Sequence, residues 1–152
     1  MNHKSSLLLI VITWLMLSAA SWVYAETDDF ERVFTQKYKN EMLPELRLAK
    51  IDRYKSQGLT ESQIKRELDA LANTAAQCQF KTFQAYENKY RQVAFDALLN
   101  GGTTEDASLQ LYDALQTDVA QGKINTTEMS HRIKTAQDLY TACVVNSGLV
   151  DQ

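Results

Sequence analysis

The sequence predicts an all-α fold, a single-domain bundle of four to five helices built around a long central helix over about residues 61–99. Three observations lead there. Apolar residues recur at helical spacing along most of the chain. The single Pro and the five Gly fall between those periodic segments, where they punctuate helices. No segment alternates apolar and polar residues for long enough to make a strand.

The first residues read as a leader. A polar start carrying Lys4 precedes an apolar run over residues 7–20 and then Ser21-Trp22-Val23-Tyr24-Ala25, with Val23 and Ala25 where a signal peptidase accepts slim side chains. The expected organisation is therefore a signal peptide over residues 1–25 and one α-helical domain over residues 26–152, exported, to a Gram-negative periplasm rather than fully secreted. An uncleaved anchor is the rival reading, because the run is about as long as the shortest membrane-spanning helix. Cleavage leaves about 127 residues, enough for one sizeable core.

Asp28 with Glu31 has the pattern of a capping box ahead of Phe30, Val33, Phe34, Tyr38 and Met42, so a first helix is expected to end near Leu43. Pro44 suits the first turn of a second piece, or a kink, carried by Leu46, Ala49, Ile51 and Tyr54 toward Gly58. Its bases and acids (Arg47, Lys50, Arg53, Lys55, Glu45, Asp52) mark a solvated surface.

Thr60 and Gln63 form a second capping box and start the central helix. Its stripe is Ile64, Leu68, Leu71, Ala75, Cys78, Phe83, Tyr86, Tyr90, Val93 and Ala97, and Gly101-Gly102 ends it. Phe80, Ala94, Phe95, Leu98 and Leu99 add a second apolar side, so the second half should be the centre of the core. There Phe83, Tyr86, Tyr90, Val93 and Ala97 should pack against Phe30, Phe34, Leu111, Leu115, Ile133 and Tyr140.

Thr103 or Thr104 can cap the next helix, whose first turn holds Glu105 and Asp106, charges that the helix dipole favours. Ala107, Leu111, Tyr112, Leu115 and Val119 carry it to about Gln121, and Gly122 stops it. Asn125 with Glu128 caps the last helix, in which Met129, Ile133, Ala136, Tyr140 and Val144 hold the period to about Asn146.

Cys78 and Cys143 lie in helices of a chain read as exported, and an even cysteine count in an oxidising compartment favours a disulfide. That expectation conflicts with a straight helix over residues 61–99. A regular up-down bundle would leave the two cysteines roughly 28 Å apart along the axis, whereas a disulfide tolerates only about 7 Å between Cα atoms. A bridge within one chain therefore requires the regular geometry to break, either in the long helix, with Glu87-Asn88-Lys89 as a candidate place, or by steep crossing of the last helices. A bridge between two chains is the remaining alternative.

The chemistry is sparse. Net charge is −3, about −4 after cleavage, with about eight acids against three bases from Asp96 onward, which disfavours nucleic-acid binding. His131 is the only histidine of the mature chain, so a Ser-His-Asp triad and a His-rich zinc site find little support. There is no phosphate loop, calcium loop or haem-attachment motif. No catalytic residue, metal ligand or cofactor is assigned, and an enzyme is not expected. Met42 and His131 would share one end of an up-down bundle and could serve as an axial haem pair, an alternative outweighed by core and surface roles. By elimination the sequence points to a binding protein of the cell envelope, an adaptor, chaperone, inhibitor or immunity-type factor acting on another protein through a helical face, without stable membrane insertion once the leader is removed. A small-ligand or haem-binding bundle is the alternative.

Overall fold

The computed structural model describes the backbone of residues 4–149 and the side chains of residues 29–149, so the side chains of the leader expected over residues 1–25 lie outside the description. Two compact units divide the chain, Met1–Arg32 and Val33–Gln152. Among the described residues the regular elements are all helical: α1 (Lys4–Ser56), α2 (Glu61–Lys81), a 3-10 turn (Thr82–Ala85), α3 (Asn88–Leu99), α4 (Thr104–Ala120) and α5 (Thr126–Asn146). No helix among the described residues is long and apolar enough to cross a membrane.

Two boundaries differ from expectation. The first helix neither starts at Asp28 nor stops near Leu43, because α1 runs through both. A capping box is decisive only behind a stop, and no Gly or Pro precedes Asp28. Pro44 likewise sits inside α1 instead of opening a new helix. Its ring removes the hydrogen bond that would reach the Asn40 carbonyl, but both residues are exposed, so water can reach that carbonyl.

The second difference is the central helix. The span over residues 61–99 is helical in two pieces, broken where the 3-10 turn gives way to extended backbone at Tyr86 (φ −114°, ψ 147°) and Glu87 (φ −63°, ψ 157°). The apolar period continues through the break, so periodicity alone could not reveal it. The break turns α3 away from α2: α3 packs along α4, while α5 packs on α2 and the 3-10 turn. This arrangement brings Cys78 and Cys143 to a Cα separation of 5.4 Å, and the structure joins them in a disulfide.

The other helix starts follow the sequence. Thr60 accepts from the Gln63 backbone N–H while the Gln63 side chain accepts from the Thr60 N–H at 2.8 Å. Thr103 and Asp106 make the same reciprocal pair on α4, and Asn125 Oδ1 accepts from the Glu128 N–H at 2.8 Å on α5. Between α3 and α4 the chain turns on two glycines with different duties. Gly101 has a φ of +90°, which side chains resist, whereas a Cβ on Gly102 would lie 2.8 Å from the Ala97 carbonyl oxygen.

The core of the second unit has two centres. Phe34 of α1 packs edge-on against Phe83 at 4.9 Å between ring centroids and touches Phe80 at 5.9 Å. Ala94, Ala97 and Leu98 of α3, with Ala107, Leu111 and Leu115 of α4, fill the other. Side chains of α1 reach α2 and α4 around this core: Lys39 pairs with Asp69 at 3.2 Å, and Glu41 accepts from the backbone N–H and hydroxyl of Thr104 at the start of α4.

Candidate functional site

The break in the central helix is held by charge. Asp118 near the end of α4 is buried and accepts from Lys89 Nζ at 2.6 Å, from the Tyr90 hydroxyl at 2.8 Å and from Lys123 Nζ at 3.1 Å. The Lys89 hydrogen bond, seconded by those of Tyr90 and Lys123, holds the Asp118 carboxyl well below the usual carboxylate range and pushes the Lys89 ammonium up. Arg132 of α5 lies over the Tyr90 ring and donates to Glu87 and Glu128 at 2.6 Å each. Glu87 at the break and Lys89 and Tyr90 just after it are therefore tied to α4 and α5.

With that end fixed, α4 and α5 enclose a cleft of about 600 Å³ toward the start of α4 and the middle of α5. Its floor is Phe83 and Tyr86 at the break; Leu111 and Tyr112 stand on the α4 side, and Ile133 and Tyr140 on the α5 side. Between these apolar faces lie Gln79, Thr82, Ser108, Gln137 and Thr141, and no charged side chain lines the walls. The Thr82 and Ser108 hydroxyls donate to the Gln79 and Thr104 carbonyls. Among the described residues, the hydroxyls of Tyr86, Tyr112 and Tyr140 and the amides of Gln79 and Gln137 make no hydrogen bond. They remain free for a ligand. Burial raises the Tyr86 phenol above its ordinary value, so it is a neutral donor at physiological pH.

Residues expected to pack on one another thus border an opening instead. Tyr86 and Ile133 are half-buried and Tyr140 is 36% exposed, because the break swings α3 and α4 aside and α5 no longer closes on them. Phe83, Tyr90, Ala97, Leu111 and Leu115 are buried as their spacing implied. The cleft left no motif in the sequence; the only hint was an excess of Tyr among core candidates, since Tyr tolerates a half-wet position.

Cys78 is fully buried, one residue before Gln79, and Cys143 lies two residues beyond Thr141, so the disulfide anchors the α5 wall to α2 at the edge of the cleft. Met42 and His131 are not brought together. Tyr38, one turn from Met42, lies close enough to Tyr140 for that phenol to help raise its pKa after burial, whereas His131 precedes Tyr140 by nine residues, about 14 Å along α5. Met42 is half-buried and His131 exposed, at different levels of the bundle, so they do not form an axial pair. Among the described residues no three His, Cys, Asp or Glu side chains cluster as metal ligands would. No family model matches the chain, and neither a curated protein nor a solved structure matches it.

Proposed function

We propose that this chain is an exported binding protein of the cell envelope, which engages another protein through the α4–α5 face. One observation carries the reading: a cleft of about 600 Å³, apolar on both walls and lined by tyrosine and glutamine groups without internal partners, opens beside Tyr112 and Tyr140, which are 41% and 36% exposed. Tyrosine is enriched at the centres of protein interfaces and among the residues that carry most of their binding energy. The disulfide supports an oxidising destination, and the apolar run ahead of Ala25 supports export by a cleaved leader.

A photo-crosslinking residue at Tyr112 or at Tyr140 tests this in cells. A discrete adduct is expected from both positions and not from Leu48, which is 82% exposed on α1 and remote in sequence from the cleft. Adducts of equal yield and pattern from all three positions would reject the α4–α5 face. A carrier of a small neutral molecule is the second reading, favoured by the cleft volume, which falls in the range of small-ligand sites, roughly 300–1,000 Å³.

A further inference from the structure

We infer that the occupant of the α4–α5 cleft is a basic polypeptide segment that inserts an apolar side chain between Tyr112 and Tyr140. This rests on the reading that the cleft is the binding site, and adds the chemistry of what enters it. The argument is one of charge. Past residue 96 the chain has three basic side chains among the described residues, and all are paired internally: Lys123 with Asp118 at 3.1 Å, Arg132 with Glu87 and Glu128 at 2.6 Å, and Lys134 with Asp138 at 2.9 Å. Glu105 and Asp113, both exposed on α4, have no hydrogen bond or ion pair among the described residues. The α4 lip therefore carries two carboxylates that no base past residue 96 offsets.

Its geometry supplies the rest. Residues four apart are neighbours on a helix surface, so Glu105, Leu109 and Asp113 form one row along α4, beside the row of Ser108 and Tyr112 that lines the cleft. Leu109 is 53% exposed between the two carboxylates, and across the opening Val145, 58% exposed, follows Thr141 by one turn. Apolar surface thus continues past both lips, farther than a small molecule inside the cleft would reach. The two carboxylates stand about 12 Å apart along the helix axis, a spacing that basic residues two turns apart on a helical partner can meet while an apolar side chain on the turn between them enters the cleft. A second copy is a poorer occupant, because an isologous pairing brings the acidic lips of both copies into one interface. Rim charges of this kind set partner choice and association rate more than total affinity.

Fluorescence anisotropy with two labelled amphipathic peptides tests the inference, one of Leu, Trp and Lys, the other with Glu in place of Lys. The lysine peptide should bind the disulfide-intact protein about tenfold or more tighter than the glutamate peptide, and Glu105→Lys with Asp113→Lys should reverse that preference. Tyr112→Ala and Tyr140→Ala should weaken both peptides, with circular dichroism unchanged. Equal binding of the two peptides, or a preference that survives the double charge reversal, overturns the basic partner while the tyrosine effect preserves the cleft. Peptide binding indifferent to Tyr112→Ala and Tyr140→Ala overturns the cleft itself. Nile red bound in a Tyr140-dependent way with neither peptide competing would assign the site to a small neutral ligand and also overturn the inference.

Discussion

The hydroxyl of Tyr90, in the first turn of α3, donates to the carboxylate of Asp118, near the end of α4, across 2.8 Å. The two residues belong to helices that flank the break and the α4–α5 turn, so one buried hydrogen bond fixes where α3 departs. Tyr90→Phe removes the donor and keeps the ring beneath Lys89 and Arg132. It should lower stability by about 1–2 kcal/mol in urea unfolding at neutral pH. A change of less than about 0.3 kcal/mol would mean that the two lysines alone hold Asp118.

The same carboxylate gives a pH dependence with a definite sign. Because the folded pKa of Asp118 lies below the ordinary value, the unfolded chain binds more protons in acid. The stabilisation is complete above an ordinary carboxylate pKa of about 4 and is lost as pH falls below it toward the folded value. Asp106, lowered by hydrogen bonds from the Thr103 backbone and side chain, acts in the same direction. Chemical denaturation from pH 6 to pH 2 should show the stability of Asp118→Asn falling less steeply than that of the parent protein.

Phe83 and Tyr140 both border the cleft and should separate stability from binding. Phe83 is 3% exposed and packs on Phe34, so Phe83→Ala should cost about 3–5 kcal/mol. Tyr140 is 36% exposed and its hydroxyl has no hydrogen-bond partner among the described residues, so Tyr140→Ala should cost less than about 1 kcal/mol. Comparable losses in the two variants would show that the cleft is closed in solution.

How much of this was legible in the sequence depended on the kind of signal. Thr60, Thr103 and Asn125 marked true helix starts because each follows a glycine turn, and a local stop with a local cap needs no tertiary information. Asp28 has the same chemistry without a stop before it, and α1 runs through it. The break at Tyr86 and Glu87 could not be read from periodicity, since Phe83, Tyr86 and Tyr90 keep helical spacing. It was legible only through the conflict between a straight helix and a pairing of Cys78 with Cys143. The cleft is a product of that break and of side chains from four elements, α2, the 3-10 turn, α4 and α5, and no single stretch encodes it.

Glycine substitutions test the turn between α3 and α4. Gly102→Ala drives a Cβ against the Ala97 carbonyl oxygen at 2.8 Å, a backbone atom that cannot rotate away, and should cost about 1–3 kcal/mol. Gly122→Ala meets open space but keeps a φ of +69°, so its cost should be only about 1–2 kcal/mol. Thermal denaturation of both variants checks the order, and Gly122→Asn should recover part of the loss because Asn tolerates that backbone region.

Replacing both Cys78 and Cys143 with Ala releases a loop closed across 65 residues and should remove about 4 kcal/mol. Urea unfolding of the oxidised parent against the variant measures it. The same preparation, recovered from the exported fraction, should begin at Glu26 by N-terminal sequencing. Recovery solely from membranes with residues 1–25 attached would favour the anchor reading instead.

The bond between Cys78 and Cys143 also makes residues 78–143 a covalent ring that contains the break, α3, α4 and the turns between them. Tension applied at the two ends of the chain passes from one tail through the sulfur atoms to the other, and the ring carries none of it. Stretched from its ends, the chain could lengthen only by the segments outside residues 78–143. A cut at Gly101-Gly102 would open the ring into two strands joined at sulfur and release no fragment, so the α4 wall is spared the pull and stays attached after a single cut for as long as the cysteines stay oxidised.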